Sequence, residues 1–169
     1  ALASPGNASF TFNSAYNDIT PSSYSGTFAV GTYNANISSQ TPFRSNLQKF
    51  RIQSLFTASE LVAAGITSGG NLTSMNLRVV TKNSTQPYTG FTISLANSSA
   101  SNLSTGFQSP TFTQVYSANY STVVGDNTFA FTSTFTWDGT SNIIVQFCFD
   151  NAPAAADASS DITEGHTAP

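Results

Sequence analysis

Short runs of alternating apolar and polar residues recur along the chain. Phe91, Ile93 and Leu95 alternate with Thr92 and Ser94; Met75, Leu77 and Val79 alternate with Asn76 and Arg78; Phe129 and Phe131 alternate with Ala130 and Thr132. A period of two sends one set of side chains into a core and the other toward solvent, as a pleated strand requires. Runs of this kind, rich in Phe, Val, Ile, Thr and Tyr and separated by Gly, Asn, Ser and Pro, predict strands over residues 9–12, 27–33, 49–56, 74–81, 89–95, 111–116, 128–137 and 142–150. Strands of this length joined by polar turns predict an all-β fold, a jelly-roll-like antiparallel β-sandwich.

Two segments depart from simple alternation. From Ile143 to Phe149 nearly every residue is apolar, broken by Gln146, which predicts a central strand covered on both faces. The hairpin before it is well marked. Trp137 ends one strand, Asp138 and Gly139 supply the turn, and Asn142 begins the next; the Asp-Gly pair suits a turn that needs a positive φ. Trp137 is expected in the core. The other departure is Thr57-Ala58-Ser59-Glu60, a capping box in which the Thr57 hydroxyl and the Glu60 carboxylate satisfy each other's backbone amides. Leu61 to Ala64 extend it and Gly65 stops it, giving one short helix of about two turns in which Glu60 is a structural residue.

The ends read differently. Residues 152–169, with Ala154-Ala155-Ala156-Asp157-Ala158-Ser159-Ser160, carry no alternation and few large apolar groups. Their composition predicts a tail or linker after a single sandwich domain spanning 1–151, with 1–8 as an N-terminal arm. Such segments order only when something holds them, either their own domain or a neighbouring copy.

Charge narrows the partners. Charged residues make up 8% of the 169 residues and the net charge is −3. Arg44, Lys49, Arg51, Arg78 and Lys82 are too few and too dispersed to track a phosphate backbone, so nucleic acid is not an expected partner. No run of about 18 apolar residues marks a membrane span. A surface built from Ser, Thr, Asn and Gln suits a protein outside the cell, exported through a signal peptide that this chain does not carry. Cys148 is the one cysteine, so no intrachain disulfide forms, and its apolar surroundings predict a buried core thiol.

The segments Thr41-Pro42-Phe43, Gln53 to Leu61, Ala64-Gly65-Ile66, Phe91-Thr92-Ile93, Phe135 to Asn142 and Cys148-Phe149-Asp150-Asn151 carry a resemblance. Over residues 41–151 the chain resembles a β-sandwich domain of secreted and surface modular proteins of Bacteroidetes exported by type IX secretion. The most specific parts are the turn from Trp137 to Asn142 and the ending from Cys148 to Asn151. The resemblance implies an exported sandwich module and no particular reaction.

Candidate chemistry is sparse. His166, the one histidine, lies near the end of the tail, where nothing would hold a catalytic base against a nucleophile. Of the carboxylates, Glu60 caps a helix, Asp126 and Asp138 sit in Gly-containing turns, and Asp157, Asp161 and Glu164 lie in the tail; no pair is set up for glycoside hydrolysis. No catalytic residue and no cofactor is expected. Asp18, Asp150 and Asn151 are weak candidates for a structural calcium site, against the plainer reading that Asp150 and Asn151 bond loop backbone and end a strand. Tyr16, Tyr24, Tyr33, Tyr88, Tyr116 and Tyr120 offer rings for a sugar platform without a spacing that selects one. Asn-x-Ser/Thr sequons at Asn7, Asn36, Asn71, Asn83, Asn97, Asn102 and Asn119 arise readily by chance in so Asn- and Ser-rich a chain, and the bacterial resemblance gives them little weight.

The expected function is therefore a non-enzymatic extracellular structural or adhesive module. Its expected partners are other copies of itself or neighbouring surface modules, joined into a polymer or filament by strand or tail exchange. The alternative is a carbohydrate-binding module of a secreted protein, with glycans as partners.

Overall fold

The computed structural model describes residues 8–13, 25–31 and 35–165. The elements run, in order, β1 (Ala8–Asn13), β2 (Ser25–Val30), β3 (Ala35–Ile37), β4 (Lys49–Phe56), α1 (Ala58–Ala63), β5 (Gly70–Thr81), β6 (Tyr88–Ser98), β7 (Thr113–Tyr120), β8 (Gly125–Trp137), β9 (Asn142–Asp150) and β10 (Ile162–Gly165). They form an antiparallel all-β sandwich with one short helix. The four-stranded sheet has the order β4-β9-β6-β7, and the six-stranded sheet is built around β5. Each expected strand overlaps an observed one, with residues 32–33 of the second lying outside the described residues, and β4 and β9 match residue for residue. Strands β3 and β10 were not anticipated: β3 has three residues and β10 four, too short for a period of two to show.

Alternation explains which face of each strand meets the other sheet. Phe91, Ile93 and Leu95 of β6, Val145, Phe147 and Phe149 of β9, and Met75, Leu77 and Val79 of β5 all lie in one buried cluster. Aromatic rings dominate its centre. Phe43 stacks on Phe91 at 5.5 Å between centroids, and Phe91 lies 5.5 Å from Phe129. Offset and tilted pairs at these separations add to the burial of their large areas. One long side of the sandwich is bridged between its sheets. A bulge in β8 opposite Thr73 shifts the register from Leu72↔Phe135 to Ser74↔Ala130, and within it the Thr132 hydroxyl donates to the Val115 carbonyl of β7 at 3.2 Å.

The helix and the hairpin form as their sequences dictate. Thr57 is the N-cap with extended backbone; its hydroxyl accepts from the Glu60 amide at 3.2 Å, and the Glu60 carboxylate accepts from the Thr57 amide at 2.7 Å. Gly65 follows with φ +102°, the left-handed conformation that ends many helices. Thr57→Ala is expected to lower the unfolding free energy by about 1 kcal/mol, measured by denaturant titration. At the β8–β9 hairpin Trp137 is fully buried, and its indole Nε1 donates to the Ser141 carbonyl at 2.7 Å. Gly139 has φ +84°, and a Cβ there would sit 2.6 Å from the Gly69 amide nitrogen, so both the conformation and the close backbone approach require glycine.

Three expectations need correction or lie out of view. Cys148 is not in the core: it is half-buried on the outer face of the four-stranded sheet, on the same side of β9 as Gln146. The stretch from 152 is not a tail as far as Gly165, since β10 is paired within the six-stranded sheet. Asp18 and His166, together with Tyr16, Tyr24 and Tyr33, lie outside the described residues.

Candidate functional site

The six-stranded sheet places its first and last strands on one edge of β5. Strand β8 pairs with β5 from Gly70 to Val79 and so occupies one edge of it. The partners of the other edge are then β1, with Ser9↔Asn76 through Phe12↔Leu72, and β10, with Ile162↔Thr81 and Thr163↔Val79. Both run antiparallel to β5. The end of β10 therefore points at the start of β1, and Ser9 and Thr163 face β5 residues only three positions apart.

The next row repeats the arrangement. Strand β2 covers β1, with Val30 opposite Ala8, and β3 covers β10, with Ala35 opposite Gly165. The middle row is thus made of two abutting pieces, β10 and then β1. Strand β1 lies in a slot between β2 and β5 and is hydrogen-bonded on both sides.

Ahead of β10, a buried carboxylate fixes the chain. Asp161 is fully buried, and its Oδ1 accepts from the Asn83 and Ser84 amides at 2.6 Å each. Its Oδ2 lies 2.6 Å from the Thr122 hydroxyl, 3.0 Å from Ser84 Oγ and 3.0 Å from the Tyr88 hydroxyl, all of which donate to it. Its own amide donates to the Phe43 carbonyl at 3.1 Å. A buried charge is tolerated only when hydrogen bonds replace its hydration, and here the strand-connecting loops supply them. Burial, then the Asp161 charge, push the Tyr88 phenol far above its ordinary value, which keeps it a donor. Lys82 lies at the mouth of the cluster, its ammonium donating to Ser84 Oγ at 2.8 Å.

The preceding residues are stitched down by polar contacts rather than apolar ones. The Ser45 hydroxyl donates to the Ser159 carbonyl at 2.8 Å, and Asn83 Nδ2 donates to the Ser160 carbonyl at 2.7 Å. Asp157 accepts from the Thr85 amide at 3.1 Å and from its hydroxyl at 2.5 Å. A stretch of Ala, Ser and Asp is held because its small side chains let two loops bond its backbone directly. Composition carries no sign of this, and Asp161, the residue that matters most, looked like one more tail acid.

The other sequence-predicted residues are not brought into this region as a ligand set. Asp150 pairs with Lys49 at 2.7 Å, and Asn151 Oδ1 accepts from the Thr89 amide at 2.7 Å, so each ends β9 by bonding its neighbours. Among the described residues no three His, Cys, Asp or Glu side chains gather as a metal site would require. Asp138 stays within its own turn. Its Oδ1 accepts from the Thr140 amide at 2.9 Å and the Ser141 amide at 2.7 Å. Slight desolvation raises its pKa, but the hydrogen bonds from Ser141 and Thr140 outweigh this and hold the carboxyl below its ordinary value. A lowered acid pKa contributes stability above the unfolded value, near 4, and loses it as pH falls through the lowered one. The stability difference between the native chain and Asp138→Asn is therefore expected to be flat above about pH 5 and to shrink below about pH 4, measured by urea titration across pH.

A second surface lies on the outer face of the four-stranded sheet. The β6–β7 connection crosses it, pinned where the Gln53 side chain accepts from the Gln108 amide at 2.8 Å and donates to its carbonyl at 2.8 Å. Gln53 also donates to Gln146 at 2.9 Å. Arg51 stacks over Phe107, an exposed ring, at 4.1 Å from its centroid. Cys148 lies beside Arg51 in register. Burial pushes its thiol up despite the opposing Thr92 hydrogen bond and Arg51 charge, which leaves it a poor nucleophile.

Comparison of the chain with family models, with curated proteins and with solved structures finds no significant match. The resemblance to Bacteroidetes surface modules gains no support from these comparisons.

Proposed function

We propose that the chain is a non-enzymatic extracellular structural or adhesive module that assembles into a surface polymer by exchanging β1 between copies. The observation that carries this reading is the slot between β2 and β5, which β1 fills while abutting β10. Removing β1 from such a slot leaves unpaired amides and carbonyls on both flanking strands, a strong template for an incoming strand. A neighbour's β1 offers the same registry and the same side chains. Each copy then donates one strand and accepts one, and where the contact runs head to tail instead of reciprocally it repeats along a chain of copies.

The anchoring of β10 favours β1, the other piece of the row, as the exchanged strand. Exchange of β10 would require pulling Asp161 out of its five donors. The test is light scattering and negative-stain microscopy of the chain at rising concentration. Linear assemblies that vanish on deletion of residues 1–13 are expected. A chain that stays monomeric at high concentration would contradict the reading.

The alternative, carbohydrate binding, draws on the exposed Phe107 beside Arg51. It has less behind it, because Tyr88 and Trp137 are fully buried and Tyr116 and Tyr120 pack against the core. Binding on a glycan array that is lost in Phe107→Ala would favour it over assembly.

A further inference from the structure

The sequons, which the proposed function leaves unused, are distinguished by their geometry. Asn102-Leu103-Ser104 lies in the β6–β7 connection, with Asn102 and Ser104 both exposed. The Asn102 Oδ1 accepts from the Ser104 amide at 3.1 Å and from its hydroxyl at 2.5 Å. The carboxamide nitrogen, on this exposed residue, makes a long 3.5 Å contact to Ser101 Oγ. The loop that presents it is fixed at both ends, by Asn142 Nδ2 donating to the Ala100 carbonyl at 2.9 Å and by the Gln53–Gln108 pair.

The sequons at Asn83 and Asn97 are spent on the fold. Asn83 is half-buried, its Nδ2 donating to the Ser160 carbonyl beside the Asp161 cluster. Asn97 donates its Nδ2 to the Thr136 carbonyl at 3.1 Å, and its Oδ1 is buried. A sugar on either nitrogen would push into the packed segment next to it, whether it was attached before or after folding.

We propose that Asn102 is a site of N-linked glycosylation, a modification that rests on the reading of the chain as exported. The donor is a lipid-linked sugar phosphate or diphosphate, used by a transferase outside the cytoplasm. The bond from Nδ2 to the sugar C1 forms as the C1–O bond to phosphate breaks. The phosphate leaves with the electron pair and Nδ2 loses one proton. The Ser104 hydroxyl, donating to Oδ1, draws density from the carboxamide and eases that loss. The attached glycan would stand over the outer face of the four-stranded sheet, on the same loop as Phe107.

The test is fractionation of the cells that make the protein, followed by glycopeptide mass spectrometry. The expected result is an exported chain whose Asn102 peptide carries added hexose or N-acetylhexosamine mass, with Asn83 and Asn97 unmodified. Asn102→Gln removes that mass and leaves the melting temperature of the unglycosylated chain unchanged. An exported chain with Asn102 bare, or with sugar on Asn83 or Asn97, overturns the site assignment alone. A bare chain retained in the cytoplasm overturns both the assignment and the export on which it rests.

Discussion

Asp161→Ala is expected to destabilise the fold by roughly 3–5 kcal/mol, because several buried donors lose a charged acceptor at once. The amides of Asn83 and Ser84 lose the oxygen that both bond at 2.6 Å. The hydroxyls of Ser84, Thr122 and Tyr88 also point into the vacated space, although Tyr88 retains the Phe43 carbonyl at 3.0 Å. Asp161→Asn should cost less. It keeps one oxygen for the two amides and offers a donor to hydroxyls that can rotate to accept. Chemical denaturation gives the two magnitudes. Limited proteolysis adds the location, with cleavage between residues 151 and 165 expected in the alanine variant before the rest of the sandwich is cut. Equal losses in both variants would mean that the cluster is not tuned to a carboxylate.

Trp137→Ala is expected to cost about 3–5 kcal/mol as well, by a different route. The side chain is fully buried at the end of β8, so its loss leaves a large cavity that the surrounding sheets only partly fill. At about 2–4 °C per kcal/mol for a chain of this size, the melting temperature falls by roughly 6–20 °C. Trp137→Phe separates packing from hydrogen bonding. It fills most of the space but deprives the Ser141 carbonyl of the indole donor, and should cost roughly 1–3 kcal/mol. A calorimetric scan of both variants checks the order.

These two residues mark the limits of what the sequence carried. Trp137 was legible because it sits on the apolar phase of an alternating run and ahead of an Asp-Gly turn. Asp161 was not, because its neighbours are small and polar and the partners of its carboxylate lie some 40 to 80 positions away, at Asn83, Ser84, Tyr88 and Thr122. Cys148 shows a signal that was present but overridden. Its parity matches Gln146, which places it on the outer face, yet the apolar run from Ile143 suggested cover on both sides. That cover is real at Ile144, which is fully buried, but it stops short of Gln146 and Cys148. The helix was legible because a capping box is a local device whose partners are three residues apart. The β1–β10 row was beyond reach, since the pairing of both strands with β5 depends on topology rather than on any local pattern.

The assembly reading joins these points. A strand held by a buried carboxylate cluster stays at home, and the proposed exchange therefore falls to β1, the other piece of the row, in its two-sided slot. The register gives a direct way to ask whether it does. Thr11 of β1 pairs with Ser74 of β5, a Cα pairing whose distance in an antiparallel ladder suits a disulfide. With Cys148 replaced by Ser, one preparation carries Thr11→Cys and a second carries Ser74→Cys. The two are mixed, allowed to assemble and oxidised, then separated on a denaturing gel without reductant. Exchange of β1 between copies predicts a covalent heterodimer containing one chain of each variant. If the mixture gives no such heterodimer, while a chain carrying both cysteines closes the bond within itself at every concentration, β1 stays in its own slot and the central claim is wrong.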